Sequence, residues 1–299
     1  MILLKSPSDD PFFNVALEDY LVRNADTSTD MILLLYENKS CVMLGKNQSI
    51  YKEVNFDFLR KEDFVVARRI SGGGTVYHGK GNLCFAFIAK FDDSKINNYQ
   101  FFNQPIVTAL IKAGVPANFN ARNDIICEGY KVSGNAQFTN RKNILSHGTL
   151  LFDADLAQLN GALKKNEFTV VSKSVDSVRS PVKNISEFTN NFTDIAAFQD
   201  FLLQEMNIVK EIFLQKNEIV TISEKAKEFA MIDWIYGRSP ATNIEKENCE
   251  LSIKNGKIET INLPTDWKEW ETKLQDEYYT YAILKNKIGN NSPLLKTIF

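Results

Sequence analysis

Two arginines followed closely by three glycines are suited to holding an anion. In Arg68-Arg69-Ile70-Ser71-Gly72-Gly73-Gly74-Thr75-Val76-Tyr77-His78 the glycine run would weaken any strand or helix. The backbone there must turn sharply or come close to something. Bare backbone N–H groups beside guanidinium groups form an anion cradle. Taken alone, the stretch also fits a flexible hairpin tip with two solvated arginines.

Three other segments carry chemistry-bearing residues. Arg122-Asn123-Asp124 and Lys131-Val132-Ser133-Gly134-Asn135-Ala136 flank a Glu128-Gly129 turn. A hairpin there brings Asn123 and Asp124 near the strand that carries Lys131. Ser133-Gly134-Asn135 is too small and polar for a core strand, so something approaches its backbone. An exposed hairpin with a weak surface Lys–Asp pair fits the same letters. Ser146-His147-Gly148-Thr149-Leu150-Leu151-Phe152 puts a histidine and a glycine at the head of an apolar strand. That places imidazole or backbone at a pocket edge, or a satisfied histidine at a strand start. Ser177–Asn184 is a loop with two further cations, Arg179 and Lys183.

These residues need elements to position them. From Pro11 to Asn24, Phe13, Leu17 and Leu21 recur at i, i+4 and i+8, the spacing of an amphipathic helix. Met31–Tyr36 reads as a buried strand, with Cys41–Leu44 as its hairpin partner across Asn38-Lys39-Ser40. Phe56–Lys61 reads as a short helix, and Phe64–Ile70 as a strand leading into the glycine turn. Asn82–Ala89 is a further strand. Asn103-Gln104-Pro105 can open a helix, with Asn103 as its cap. Asn123–Cys127, Lys131–Gln137 and Ile144–Phe152 read as strands, and Asp153–Leu163 and Thr193–Met206 as helices, the second capped by Thr193. Strands and helices mix without a βαβ rhythm. This predicts an α+β fold with a mixed or antiparallel sheet flanked by helices. From about Thr242 the character changes. Glu250–Ile261 is a hairpin signature around Asn255-Gly256, and a charged helix follows over Trp267–Asn286. Residues 242–299 therefore read as a small appended module after a domain of residues 1–241.

Composition excludes several classes. A net charge of −2 over 299 residues offers no basic face for a phosphate backbone, which argues against nucleic acid. No segment approaches the ~20 apolar residues of a membrane span, and the run at Met1–Leu4 is too short for a signal peptide. Cys41, Cys84, Cys127 and Cys249 are far apart with no C-x-x-C pair, so neither a structural zinc site nor a disulfide framework is expected. Buried thiols in a reducing cytosol are the expectation, hence a cytoplasmic protein.

Together the segments resemble the lipoate–protein ligases, a family that shares a superfamily with biotin–protein ligases and octanoyltransferases. The resemblance rests on Arg68–His78, Arg122–Asp124, Lys131–Ala136, His147–Leu151 and Ser177–Asn184, in the family's order and spacing. It covers about residues 1–240. It reaches more loosely into the tail, where Cys249–Pro264 is similar to the start of the family's accessory domain. The family's fold is akin to the catalytic core of class II aminoacyl-tRNA synthetases.

The resemblance implies two half-reactions. Lipoate and ATP give lipoyl-adenylate and pyrophosphate, and a lysine of an acceptor protein then takes the lipoyl group as an amide. ATP and Mg²⁺ are the implied cofactors. The acceptor would be a glycine-cleavage H protein or an E2 lipoyl domain, and the enzyme a monomer. Lys131 would stand between carboxylate and α-phosphate and stabilise charge that develops in the transition state. Asp124 would ligate Mg²⁺ or orient Lys131. Arg69, Gly74, Thr75, Val76, Tyr77 and Asn123 would meet the nucleotide. Ser71, Gly73, His78, Gly134, His147 and Gly148, with Lys131, would meet lipoate.

Two rivals remain. An octanoyl or lipoyl transferase working through a cysteine thioester needs an activated thiol at a fixed place. In the octanoyltransferases that thiol precedes the segment matching Arg122–Asp124 or follows the one matching His147-Gly148. Here Val115–Ala121 has no cysteine, and none occurs between Val132 and Asn248. A non-catalytic homologue that only binds lipoyl-adenylate or an acceptor domain would have lost the cations, yet Lys131 and Arg69 are present.

Overall fold

Alternation along the central strands decides the architecture. Leu3, Leu33, Leu35, Leu83, Phe85 and Phe87 lie in one buried cluster, whereas Ile2, Leu4, Ile32, Leu34, Ala86 and Ile88 lie in another. Successive side chains of a strand point to opposite faces, so this sheet is apolar on both faces and must be covered on both. The computed structural model, which describes residues 1–163, 166, 168–289 and 293–299, covers it with two helices on each side. Tyr99–Lys112 and Ile195–Glu205 pack on one face through Phe102, Ile106, Leu110, Phe198 and Leu202. Pro11–Asn24 and Lys216–Phe229 pack on the other through Phe13, Leu17, Leu21, Ile222 and Phe229.

The six strands run in the order Asn135–Thr139, Asn143–Leu151, Asn82–Lys90, Ile32–Tyr36, Ile2–Lys5 and Lys210–Ile212. The first three junctions are antiparallel and the last two parallel. The fold is thus α+β with a mixed sheet flanked by helices, as the sequence implies. Among the described residues, no helix is long and apolar enough to cross a membrane.

Several local expectations are corrected. Cys41–Leu44 does not form a hairpin with Ile32–Tyr36, because Ile2–Lys5 and Asn82–Lys90 occupy both edges of that strand. It joins Val65–Arg68 (parallel) and Val76–His78 (antiparallel) in a separate three-stranded sheet. The helix expected to open at Asn103 begins at Tyr99, where Asn98 accepts the Phe101 N–H at 3.1 Å and takes the cap. Pro105 then sits inside the helix and removes one ladder bond. Asp194, not Thr193, caps Ile195–Glu205 by accepting the Ala197 N–H at 2.9 Å.

The single strand expected over Lys131–Gln137 is two. Tyr130–Ser133 pairs with Ile125–Cys127 in a small sheet, and Asn135–Thr139 pairs with Asn143–Leu151 in the main one. The chain changes sheets at Gly134.

The tail hairpin forms as expected, with positive φ at both turn residues, Asn255 (50°) and Gly256 (76°). Its strands extend a four-stranded sheet that begins with Thr169–Ser172. The charged helix expected over Trp267–Asn286 is broken into Glu269–Leu274 and Tyr281–Ile288. Between them the chain docks on the hairpin: Asp276 N–H donates to Ile258 O and Tyr279 N–H to Gly256 O, each at 2.9 Å, and Tyr279 is buried.

Candidate active site

The glycine turn joins Val65–Arg68 to Val76–His78 and is braced from within. Gly73 takes φ +87°, a backbone state that a side chain would resist. Arg69 folds back over the turn. Its Nε–H donates to Ser71 Oγ at 3.0 Å, Nη1 to Met43 O at 3.1 Å, and Nη2 to Gly72 O and Gly74 O at 2.6 and 2.7 Å. A guanidinium has five donors, and these four bonds use all but one Nη1–H. Burial lowers the Arg69 pKa to about 10.

Arg68 points the other way and is fully buried. It donates to Gly45 O, Lys46 O and Gln48 O, and to Ile235 O and the Ser239 hydroxyl. Arg69 is therefore scaffolding for the turn, and Arg68 for the segment at residues 45–48 and the chain at Ile235 and Ser239; they are not a pair of free anion ligands.

Two adjoining compartments open beside this turn. The larger holds about 310 Å³ and the smaller about 160 Å³. Thr75, Val76, Lys131, Gly134 and Ser177 wall both. Arg69, Gly73, Gly74, His78, His147 and Gly148 wall the larger, and Tyr77 the smaller.

Lys131 stands where the compartments meet. Its backbone is held on two sides. It lies opposite Ile126 in the small sheet, its N–H donates to Pro181 O at 2.8 Å, and its carbonyl accepts the Lys183 N–H at 3.3 Å. Its ammonium meets Asp124 Oδ1 at 2.8 Å. Asp124 Oδ2 accepts from Asn120 Nδ2 at 3.0 Å, so the carboxylate is held on both sides. A Cβ on Gly134 would lie 3.0 Å from Lys131 Cε and Nζ, so the side chain runs close over the glycine backbone.

The far end of the larger compartment holds a chain of buried polar groups. Tyr36 O–H donates to Glu18 at 2.8 Å, Glu18 meets His147 Nδ1 at 2.8 Å, and His147 Nε2 meets Ser71 Oγ at 2.6 Å. Ser71 thus sits behind the wall and links His147 to Arg69. His78 is also buried; its Nδ1 lies 2.8 Å from Asn38 Nδ2. Burial, then the nearby Arg69 and His147, push its pKa down to about 3, so the ring is neutral.

Of the residues expected from sequence, Ser71 lies behind the wall, joined to it through His147 and Arg69, and Asn123 is placed away from the arrangement. It walls neither compartment. Its left-handed backbone (φ 62°), which asparagine tolerates, precedes Asp124, and its carbonyl accepts from Asn135 Nδ2 at 3.2 Å. Glu18, Tyr36, Gln48 and Glu53 carry structure that the sequence reading missed. Glu18 shares a buried helix face with Asn14 and Val22, and that burial is set by the sheet the helix packs on.

All four cysteines are free and buried. Burial pushes the Cys127 thiol up to about 12 and that of Cys249 to about 11, and raises Cys41 and Cys84 as well. None is a ready thiolate. Among the described residues no group of three or more His, Cys, Asp and Glu side chains could hold a metal by itself.

The lipoyl protein ligase A/B catalytic domain family matches residues 10–207. Lipoate-protein ligase LplJ of Bacillus subtilis is 38% identical over 274 residues, spanning 87% of this chain and 82% of that protein. Among solved structures, a bi-partite lipoate protein ligase of Thermoplasma acidophilum, described with its E2 lipoyl domain, superposes with a TM-score of 0.67 at 23% identity, covering 79% of this chain and 96% of that one. A lipoate-protein ligase A bound with ATP gives a TM-score of 0.67 at 23% identity, covering 79% and 98%. These two likenesses establish the shared fold.

Proposed function

The chain belongs to the lipoate–protein ligases, and from that membership we propose that it uses ATP to join lipoate to a lysine of an acceptor protein through lipoyl-adenylate. The observation that carries the reading is the position of Lys131, at the seam of two compartments and oriented by Asp124.

The larger compartment has apolar walls from Val15, Met43 and Val76 and suits the alkyl chain and dithiolane of lipoate, with Gly73, Gly134, Gly148, His78 and His147 as its polar lining and Ser71 behind His147. The smaller, walled by Tyr77, Leu159 and Leu163, suits an adenine base. Lipoate's carboxylate and the α-phosphate would then meet at Lys131. In the first step a carboxylate oxygen attacks the α-phosphorus and the bond to pyrophosphate breaks. The Lys131 ammonium faces the negative charge on both reactants, and the free Nη1–H of Arg69 adds a second donor. Backbone of Gly74–Tyr77 approaches the phosphates. In the second step the acceptor amine attacks the acyl carbon, the bond to AMP breaks and the amine loses its proton. Lys131 polarises the carbonyl.

Mg²⁺ is commonly bound by one or two carboxylates beside substrate phosphates rather than by a protein cage. Asp124 fits that pattern and is the carboxylate that would hold it. The metal would neutralise phosphate charge. We further read residues 1–241 as the catalytic domain and 242–299 as an accessory domain. A cytoplasmic monomer acting on an E2 lipoyl domain or a glycine-cleavage H protein completes the proposal.

The test is pyrophosphate release on mixing the protein with lipoate, ATP and Mg²⁺ without acceptor. A stoichiometric burst is expected. No release, together with a trapped acyl thioester from an acyl-carrier donor, would overturn the reading in favour of acyl transfer.

A further inference from the structure

One serine joins the loop at residues 174–178 to the glycine turn. Ser177 Oγ accepts the Thr75 N–H at 2.8 Å and a Gln48 Nε2–H at 3.0 Å, and donates its own proton to Glu53. The Ser177 N–H donates to the same carboxylate at 3.2 Å. Gln48 Oε1 in turn accepts from Thr75 Oγ1 at 2.7 Å and from Gly45 N–H at 3.0 Å. Next in the chain, Lys52 pairs with Asp176 at 2.6 Å, which holds the loop at a second point. Glu53 itself faces the smaller compartment.

The Thr75 N–H belongs to the glycine-turn backbone that an incoming phosphate would approach. Here it is taken by a hydroxyl backed by a carboxylate. A hydroxyl that donates to an ionised acceptor becomes a better acceptor itself, so Glu53 strengthens the Ser177–Thr75 contact. The carboxylate also adds negative charge to the wall of the compartment read as receiving the nucleotide, beside the seam where its phosphates would lie. Both effects oppose nucleotide binding.

Resting on the reading of the site as an ATP-using ligase, we propose that Glu53 is a positioning residue that sets the affinity for ATP. Through Ser177 it keeps the Thr75 N–H occupied until a nucleotide phosphate takes the place of the hydroxyl.

Glu53→Gln keeps the size of the side chain and removes its charge. Calorimetric titration of the full-length protein with ATP and Mg²⁺, with lipoate as a separate control, reads the effect. The Kd and KM for ATP should fall, by about threefold to tenfold, while the Kd for lipoate stays put and kcat does not rise in proportion. Ser177→Ala should move ATP binding in the same direction, and serves if the first variant does not fold. A folded variant with unchanged ATP binding overturns the proposal. Weaker binding overturns it too and puts Glu53 on the nucleotide or its metal. Amide exchange on the wild-type protein supplies a test that needs no variant: Thr75 should be protected without ATP, and rapid exchange there also overturns the proposal. A wild-type protein that takes up no ATP sinks the reading of the site instead.

Discussion

His78 is held neutral by its surroundings. In the unfolded chain its pKa is near ~6.5, and in the fold it is pushed down to about 3. Below ~6.5 the unfolded state therefore binds a proton that the folded state refuses, so stability falls as pH drops from there towards 3. His78→Gln should remove up to about 1.4 kcal/mol per pH unit from that slope. Denaturant unfolding at pH 7.5, 6 and 5 checks it, and equal slopes in both proteins would contradict it. Lys131, Asp124 and His147 were legible as candidates because chemistry-bearing side chains stand in short motifs, those of Lys131 and His147 with glycines. Glu18 and Tyr36 were not. Their roles depend on which helix face meets which strand, and a glutamate in a helical pattern is read as solvent-facing unless that face is known. Arg69 was legible as a cation. That most of its donors brace its own turn could not be seen without coordinates.

At the scale of elements, the transition at Gly134 matters most. The helix Pro11–Asn24 was readable from its apolar spacing, and the structure adds proline in the first turn and Asp10 as its cap. The strand Lys131–Gln137 was readable only as extended chain. Its division between two sheets depends on partners distant in sequence, Ile125–Cys127 and Asn143–Leu151. The same limit explains the failed hairpin at Cys41–Leu44: turn residues permit a hairpin, but strand competition decides. Gly134→Ala tests what the transition does. The new Cβ would lie 3.0 Å from the Lys131 ammonium, which must shift. A displacement of a few tenths of an ångström should lower kcat/KM by up to about tenfold, with little change in melting temperature. A folded variant with wild-type kinetics would contradict the placement of Lys131.

For the whole molecule, the tail and the N-terminal half share one apolar cluster. Val42, Leu44, Ile50, Tyr51 and Leu59 pack with Ile244, Leu251, Ile253, Ile258 and Leu284. Tyr51 O–H donates to Gly256 O at 3.1 Å, and Ser49 and Thr242 hydroxyls meet at 2.9 Å. Burying each large apolar side chain contributes roughly 1.5–3 kcal/mol, so a chain ending near Ser239 would expose more than a domain of ordinary stability can lose. Such a truncation is expected to lose its cooperative melt and bind a hydrophobic dye. A melt near that of the full chain would contradict this and make the tail separable. The α+β class was readable because alternating and helical apolar patterns both occur without a regular order. The breaking of the charged helix after Leu274 was not, since the docking of Asp276 and Tyr279 on the hairpin is a tertiary effect.

The central claim is that Lys131 stabilises both half-reactions from the seam between the compartments. The most direct measurement is single-turnover kinetics of Lys131→Ala, once from lipoate with ATP and once from chemically made lipoyl-adenylate. Losing one electrostatic donor of this kind typically costs ~10²–10³ in rate. The Lys131 and Asp124 side chains are only 24% and 12% exposed, so removing the ammonium leaves a mostly buried carboxylate and costs up to ~3–5 kcal/mol; a thermal melt of the variant therefore accompanies the kinetics. Both rates should fall, and Lys131→Arg should restore neither, because a planar guanidinium cannot replace a point charge between two oxygens. Loss from ATP with a normal rate from the adenylate would confine Lys131 to activation. Wild-type rates in both assays, in a folded variant, would place the catalytic centre elsewhere.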